Sequence, residues 1–172
     1  MARIIRNLRE LYRYRVLVQN LVVRELKARY RGTVLGFFWS FFNPLLLMIV
    51  YTAVFGLIIN PRDPAFESNP LIYAIYLFCG ILPWHWFASS TLESANVLMI
   101  NGNLIKKILF PAEVLPVVTV TSNMINFFFG LPILFLFILL MGRPLTPYAL
   151  LLPVVIFVQY VFSLGFSLMI SA

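Results

Sequence analysis

Four long stretches of the sequence contain no Asp, Glu, Lys or Arg: residues 32–61, 68–92, 114–142 and 144–172. About 20 helical residues cross a hydrocarbon core of about 30 Å, so each stretch is long enough to span a bilayer. The stretches are continuously apolar and lack the alternation typical of a membrane β-barrel, which favours helices. The pattern predicts an all-α integral membrane protein with at least four transmembrane helices. We place these helices at about residues 34–59, 71–99, 113–140 and 148–172.

The first 31 residues follow a different pattern, in which basic and apolar residues recur at helical spacing. In its first half one side of a helix is apolar and the other basic, with Ile4, Ile5, Leu8, Leu11 and Tyr12 opposite Arg6, Arg9 and Arg13. In its second half Val22, Val23, Leu26 and Tyr30 lie opposite Arg24, Lys27 and Arg31. Residues 1–31 are therefore predicted to form a cytoplasmic amphipathic helix in the membrane interface, ahead of a transmembrane domain at residues 32–172.

The composition excludes an ordinary water-soluble domain. Hydrophobic residues make up 62% of the chain and charged residues 11%, against about half and about a quarter in soluble domains. The excess of 13 Lys and Arg over 6 Asp and Glu raises the question of nucleic acid. Nine of these basic residues lie between Arg3 and Arg31, directly before the first apolar stretch. This placement is typical of an anchor facing anionic lipids, so we expect membrane lipids and no nucleic acid as partners.

Charged residues in the loops predict the orientation of the chain. The basic N-terminus and the loop at residues 101–111, with Lys106 and Lys107, are predicted to be cytoplasmic. The loops at residues 60–70 and 141–147 then lie on the external side. The fourth predicted span ends at Ala172 without a cytoplasmic flank, so we expect the sequence to be a fragment.

Few residues could support enzyme chemistry. His85 and Glu93 are eight residues apart on one predicted helix, more than two turns and too far to share a metal ion. Glu113 is the other carboxylate near membrane depth, and the single Cys79 allows no disulfide within one chain. We predict no catalytic residue and no metal site. An intramembrane enzyme that uses His85 and Glu93 stays an alternative.

Polar residues surround Glu93 on the second predicted span. They are Ser89, Ser90, Thr91, Ser94 and Asn96. Because a helix surface in contact with lipid does not carry such a group, we expect this half of the helix to face the bundle interior or water.

No GxxxxGK[ST] sequence occurs, so the chain itself does not bind ATP in the P-loop manner. Any energy source would be a separate partner. The loop at residues 101–111 predicts a short amphipathic helix, about residues 101–109, that ends at a proline and presents Leu104, Ile105 and Ile108 beside two lysines. The segment is either a docking element for such a partner or an ordinary positively charged cytoplasmic loop.

Aromatic residues make up 16% of the chain. On the first predicted span Phe37, Phe41, Tyr51 and Phe55 fall within about 80° of one another, and form a stripe through the membrane. Aromatic faces stack on the apolar faces of sugar rings, which would suit a polymer conduit, and helix packing is the alternative. With Trp84 and Trp86 they are the candidates to line a glycan channel.

Two groups of residues, in the same order and at similar spacing, carry a resemblance to a known family. The first is residues 24–30, followed by Leu35, Gly36, Trp39 and Pro44. The second is residues 103–107, followed by Phe110, Pro111 and Pro116. Both resemble the permease subunits of ABC exporters for polysaccharides, the group that moves O-antigen and teichoic acid.

The resemblance implies a six-span permease of the bacterial inner membrane, here without its last two spans. Such a subunit pairs with a second copy of itself and with two copies of a separate ATPase that binds ATP and Mg, and exports a lipid-linked polysaccharide. It also implies a gate helix with Arg24, Glu25, Lys27, Arg29 and Tyr30, and an ATPase-coupling helix with Asn103, Leu104, Ile105, Lys106 and Lys107. A permease for a drug or a lipid is the alternative within transport.

Overall fold

Five α-helices make up most of the structure, a computed structural model that describes residues 14–30, 38–51, 53–54, 70–100, 113–142 and 146–171. They are α1 (Arg15–Tyr30), α2 (Trp39–Tyr51), α3 (Pro70–Ile100), α4 (Val114–Leu140) and α5 (Leu152–Ser171). A 3₁₀ turn at Pro147–Leu151 leads into α5. No residue within the described ranges belongs to a β-strand, which confirms the predicted all-α class.

Two helices in the described part of the chain are long and apolar enough to span a membrane: Val114–Leu140 and Pro147–Ser171. The helix α3 covers the second predicted span, and α2 contains a shorter apolar segment, Phe41–Tyr51. Residues 1–13, the ends of the first predicted span and the predicted coupling helix lie outside the described residues. The number of spans therefore stays a prediction.

The helix α4 is the one around which the others pack. It contacts α1, α2, α3 and α5, and α3 is its most extensive partner. The main core lies between α2, α3 and α4, and contains Met48, Phe78, Leu82, Trp86, Phe127, Leu131, Ile133 and Leu134. At Gly130 a Cβ atom would lie 2.4 Å from Leu82 Cδ1, so the glycine lets α3 and α4 approach closely.

Serines mark the packing of α3 against α5. Ser90 and Ser94 on α3 are one turn apart, as are Ser163 and Ser167 on α5, and all four are fully buried. Small side chains at this spacing let two helices come close, and Ser167 Oγ donates to the Ser90 carbonyl oxygen over 3.5 Å. The polar side predicted on α3 thus faces the interior at Ser90 and Ser94, whereas Asn96 is exposed.

The helix α1 packs on the start of α4 and the end of α3. Leu21 and Val22 are buried against Val97, Val114 and Val118, and Tyr14, Leu17, Val18 and Leu26 are partly buried around them. Val23, which the sequence pattern places on the same side as Val22, is 49% exposed. The buried and partly buried residues of α1 are 14, 17, 18, 21, 22, 25, 26 and 29, a side of the helix that leaves out Val23.

Candidate functional site

Arg29 lies at the centre of a polar cluster that joins three helices. Its Nη1 donates to Asn123 Oδ1 on α4 over 2.9 Å, and its Nη2 donates to Glu93 Oε2 on α3 over 2.5 Å. The same Nη2 donates to Glu25 Oε1, one turn earlier on α1, over 3.0 Å. Asn123 Nδ2 completes the ring by donating to Glu93 Oε2 over 2.9 Å. We call these four residues the Arg29 cluster.

The local sequence explains why these side chains meet. The side of α1 that begins with Leu21 and Val22 continues with Glu25 one turn later and Arg29 two turns later. The buried surface of α1 is thus apolar at its start and polar in its last turn. Arg24 and Lys27 lie on the opposite, exposed side. Of the five residues that the resemblance assigns to a gate helix, the structure therefore brings two into the cluster, and the side chain of Tyr30 lies outside the description.

Ion pairing and partial burial set the electrostatics of the cluster. The side chains of Arg29, Glu25 and Glu93 are 26%, 29% and 39% exposed. Burial raises the pKa of the Glu25 carboxyl, although Arg29 opposes this effect. Burial alone would lower the pKa of Arg29, but Glu93 and Glu25 raise it above its ordinary value. Arg29 therefore stays charged, and one cation faces two carboxyl groups.

A cavity of about 270 Å³ lies beside the cluster, between α1, α2, α3 and α4. Part of its wall is polar and consists of Arg29, Glu93, Asn123, Asn43, Asn126, His85 and Ser89. The rest is apolar and consists of Pro44, Leu47, Phe78, Ile81, Leu82, Trp86 and Phe127. At about 30 Å³ per molecule this is room for about nine waters.

The aromatic candidates for a glycan channel occupy different environments. Trp86 is 2% exposed, its Nε1 donates to the Val120 carbonyl oxygen over 3.2 Å, and its ring lies 5.2 Å from that of Phe127. Phe41 packs against the same core, with its ring 5.0 Å from Phe129.

Trp84, in contrast, is 66% exposed and lies 5.9 Å from the ring of Phe87. Tyr51 is partly buried at the end of α2, and Phe37 and Phe55 lie outside the described residues. The described candidates thus do not form one continuous surface within this chain, and their role in a channel stays a prediction.

The candidates for enzyme chemistry, His85 and Glu93, do not lie together in a catalytic arrangement. His85 is exposed and lines the cavity, but Glu93 is bonded to Arg29 and Asn123. No group of three His, Cys, Asp or Glu side chains within the described ranges could hold a metal ion. The residues of the predicted coupling helix, Asn103 to Lys107, lie outside the description.

Sequence reasoning missed Asn123. The residue is 4% exposed and uses its amide oxygen and its amide nitrogen in the cluster. Its signal in the sequence is an amide in the middle of a charge-free, apolar stretch, where a polar side chain requires a partner inside the bundle. The same signal applies to Asn126, which lines the cavity.

Comparisons with known proteins agree over nearly the whole chain. Residues 16–172 match the family described as ABC-2 type transporter. An O-antigen export system permease protein, RfbA, of Myxococcus xanthus is 40% identical over 168 residues, which is 98% of this chain and 62% of that protein. RfbA of Klebsiella pneumoniae is 32% identical over 166 residues, 96% of this chain and 60% of the relative.

A more distant relative is the polysialic acid transport protein KpsM of Escherichia coli. It is 24% identical over 90 residues, covering 52% of this chain and 33% of KpsM. The chain spans about three fifths of the length of the two RfbA relatives.

Proposed function

Because this chain belongs to the ABC-2 type transporter family, we propose that it is the membrane part of an ATP-driven exporter of a lipid-linked polysaccharide of the O-antigen type. The observation that carries the proposal is 40% identity with an O-antigen export permease along 98% of the chain. A second relative, named for polysialic acid transport, supports a polysaccharide as the substrate class. The proposed role is transport, with ATP hydrolysis assigned to a separate subunit.

We further propose that the chain crosses the bacterial inner membrane four times with its N-terminus in the cytoplasm. At 1.5 Å per residue the 31 residues of α3 measure about 46 Å, longer than a hydrocarbon core. The outward side of α5 is apolar and exposed, with Val154, Val158, Val161 and Phe162 among its residues, as lipid contact requires. The helix α1, with exposed Arg15, Arg24 and Lys27, suits the cytoplasmic surface.

Two segments are proposed to serve the transport cycle on that cytoplasmic side. The helix α1 is the proposed gate helix, with Arg24, Glu25, Lys27, Arg29 and Tyr30. The loop with Asn103, Leu104, Ile105, Lys106 and Lys107 is the proposed contact with the ATPase, which would hold ATP and Mg. The permease is proposed to work as a homodimer. A basic pair flanked by apolar residues supports the docking role of this loop, since charge and apolar area together favour a specific contact.

Co-purification tests the docking assignment. In the native gene product, the double variant Lys106→Glu and Lys107→Glu should recover much less ATPase than the parent does, because attraction at the contact becomes repulsion. The control variant Arg62→Glu and Arg143→Glu makes the same charge change in the two loops predicted to be external. It should recover the parental amount of ATPase. Equal recovery by both double variants would show that the docking assignment is wrong.

Deletion of the gene tests the function itself. A strain without the permease should lose its surface polysaccharide and accumulate the lipid-linked glycan inside, because synthesis continues while export stops. The native gene should restore the surface glycan. A deletion strain with normal surface polysaccharide would contradict the proposal and favour a drug or a lipid as the substrate.

A further inference from the structure

Two different kinds of contact hold α1 on the helix bundle. In its middle turns the contact is apolar, between Leu21 and Val22 on α1 and Val114 and Val118 on α4. In its last turn the contact is polar and rests on Arg29. Apolar contacts are non-directional and tolerate small shifts of a helix, whereas hydrogen bonds of a guanidinium have a fixed geometry. The position of the C-terminal end of α1 is therefore set by the partners of Arg29.

We propose that Glu93 and Asn123 are positioning residues for export: they hold Arg29, and through it the last turn of α1, in the wall of the cavity until α1 moves. Neither residue belongs to the gate helix or the coupling loop. The inference rests on the proposed function, because it assigns a role in a transport cycle to a contact that the structure shows. Released from these partners, Arg29 leaves the wall and the cavity opens at this side.

The cluster contains bonds that stay intact and bonds that break when α1 separates from the bundle. Arg29 shares α1 with Glu25, so this ion pair moves with the helix when α1 leaves the bundle. Glu93 keeps its hydrogen bond from Asn123 Nδ2, which links α3 to α4 without α1. Separation thus breaks only the Arg29 bonds to Glu93 and Asn123, and leaves every charged group of the cluster with one partner.

Partial exposure supports the same conclusion. The three charged side chains of the cluster are 26% to 39% exposed, so water can replace a broken bond at once. Asn123, on the bundle side, is 4% exposed and stays fixed by α4. The cluster therefore has a rigid half on α3 and α4 and a half on α1 that can leave.

Thiol labelling in inverted membrane vesicles tests the inference on the native gene product. Cys79→Ser removes the one cysteine of these 172 residues, any cysteine elsewhere in the gene product is replaced as well, and Ser89→Cys places a probe in the cavity wall for a membrane-impermeant maleimide. With Arg29→Gln or Glu93→Gln, labelling at position 89 should accelerate about two- to fivefold, as expected for loss of one partly exposed ion pair. The exchange Arg29→Glu with Glu93→Arg keeps all charges and should return labelling towards the parental rate.

Two controls separate release of α1 from unfolding. Arg15→Gln removes an exposed charge at the far end of α1, outside the cluster, and should leave labelling at position 89 unchanged. A probe at Ser163→Cys, fully buried where α5 packs, should stay protected in all variants, whereas an unfolded protein would label there too.

The inference is overturned if both glutamine variants label at the parental rate, or if the charge exchange labels as fast as the single variants. It is also overturned if position 163 becomes reactive together with position 89. Because no glycan is needed for labelling, this result is independent of the deletion experiment, and failure of one does not imply failure of the other.

Discussion

Trp84 and Trp86 show how strongly the environment of a residue depends on its place on a helix. Both were candidates for a glycan channel, and only one residue separates them in the sequence. Trp86 is 2% exposed, bonded to the Val120 carbonyl and packed on Phe127, whereas Trp84 is 66% exposed. The structure therefore gives Trp86 a packing role in this chain, and leaves Trp84 accessible to lipid, to a second subunit or to a substrate.

This difference predicts that the same substitution destabilises the protein at one position and has little effect at the other. Trp86→Phe keeps an aromatic ring but loses the indole hydrogen bond and part of the core volume, so it should lower the free energy of unfolding by about 1–3 kcal/mol. Trp84→Phe should change that free energy by less than about 0.5 kcal/mol. Denaturant unfolding of the purified protein in detergent measures both. Equal destabilisation by the two variants would contradict the assignment of Trp86 to the core.

At the scale of elements, the amphipathic pattern predicted only part of the side of α1 that is buried against the bundle. Val22 is buried and Leu26 partly buried against the bundle, whereas Val23, from the same predicted apolar side, is 49% exposed. Arg29, which the pattern assigned to neither side, contacts α3 and α4, and Glu25 pairs with it. A helix whose own polar residues have partners in the bundle does not separate into one apolar and one charged side.

The paired valines of α1 test this orientation. Val22→Ala removes buried methyl groups and should weaken the docking of α1 by about 1–2 kcal/mol. Such a loss increases transient release of the helix about 5- to 30-fold. Tryptic cleavage at Arg24 and Lys27 in inverted vesicles should accelerate accordingly. Val23→Ala should be cleaved at the parental rate, and faster cleavage of this variant than of Val22→Ala would contradict the described orientation.

The sequence predicts where the helices lie better than it predicts which side of each helix is buried, for a physical reason. Charge-free stretches give the helical class, and α3, α4 and α5 lie within or close to the stretches so identified. Within α4 or α5, however, the surfaces that contact lipid and neighbouring helices are both apolar, so periodicity does not separate them. Asn123 and Asn126 are exceptions, because an amide in an apolar helix indicates the interior. The contacts of Arg29 depend on three helices meeting, which no local pattern contains.

For the whole molecule, the central claim is that these helices belong to a permease that moves a lipid-linked polysaccharide. Its support is the family, the identity with O-antigen export permeases and an apolar outer surface around polar interior groups. The conduit is proposed to form between two permease subunits, each of which contributes surface to it.

Reconstitution tests this claim most directly. The native permease and its partner ATPase are placed in liposomes with the lipid-linked glycan on the outer leaflet. ATP is added outside only, so that only transporters whose ATPase faces outward are active. The account predicts that ATP makes the glycan resistant to a membrane-impermeant glycosidase added afterwards, and that a hydrolysis-deficient ATPase does not. If the glycan stays equally accessible with and without ATP while the complex hydrolyses ATP, the protein is not a polysaccharide exporter.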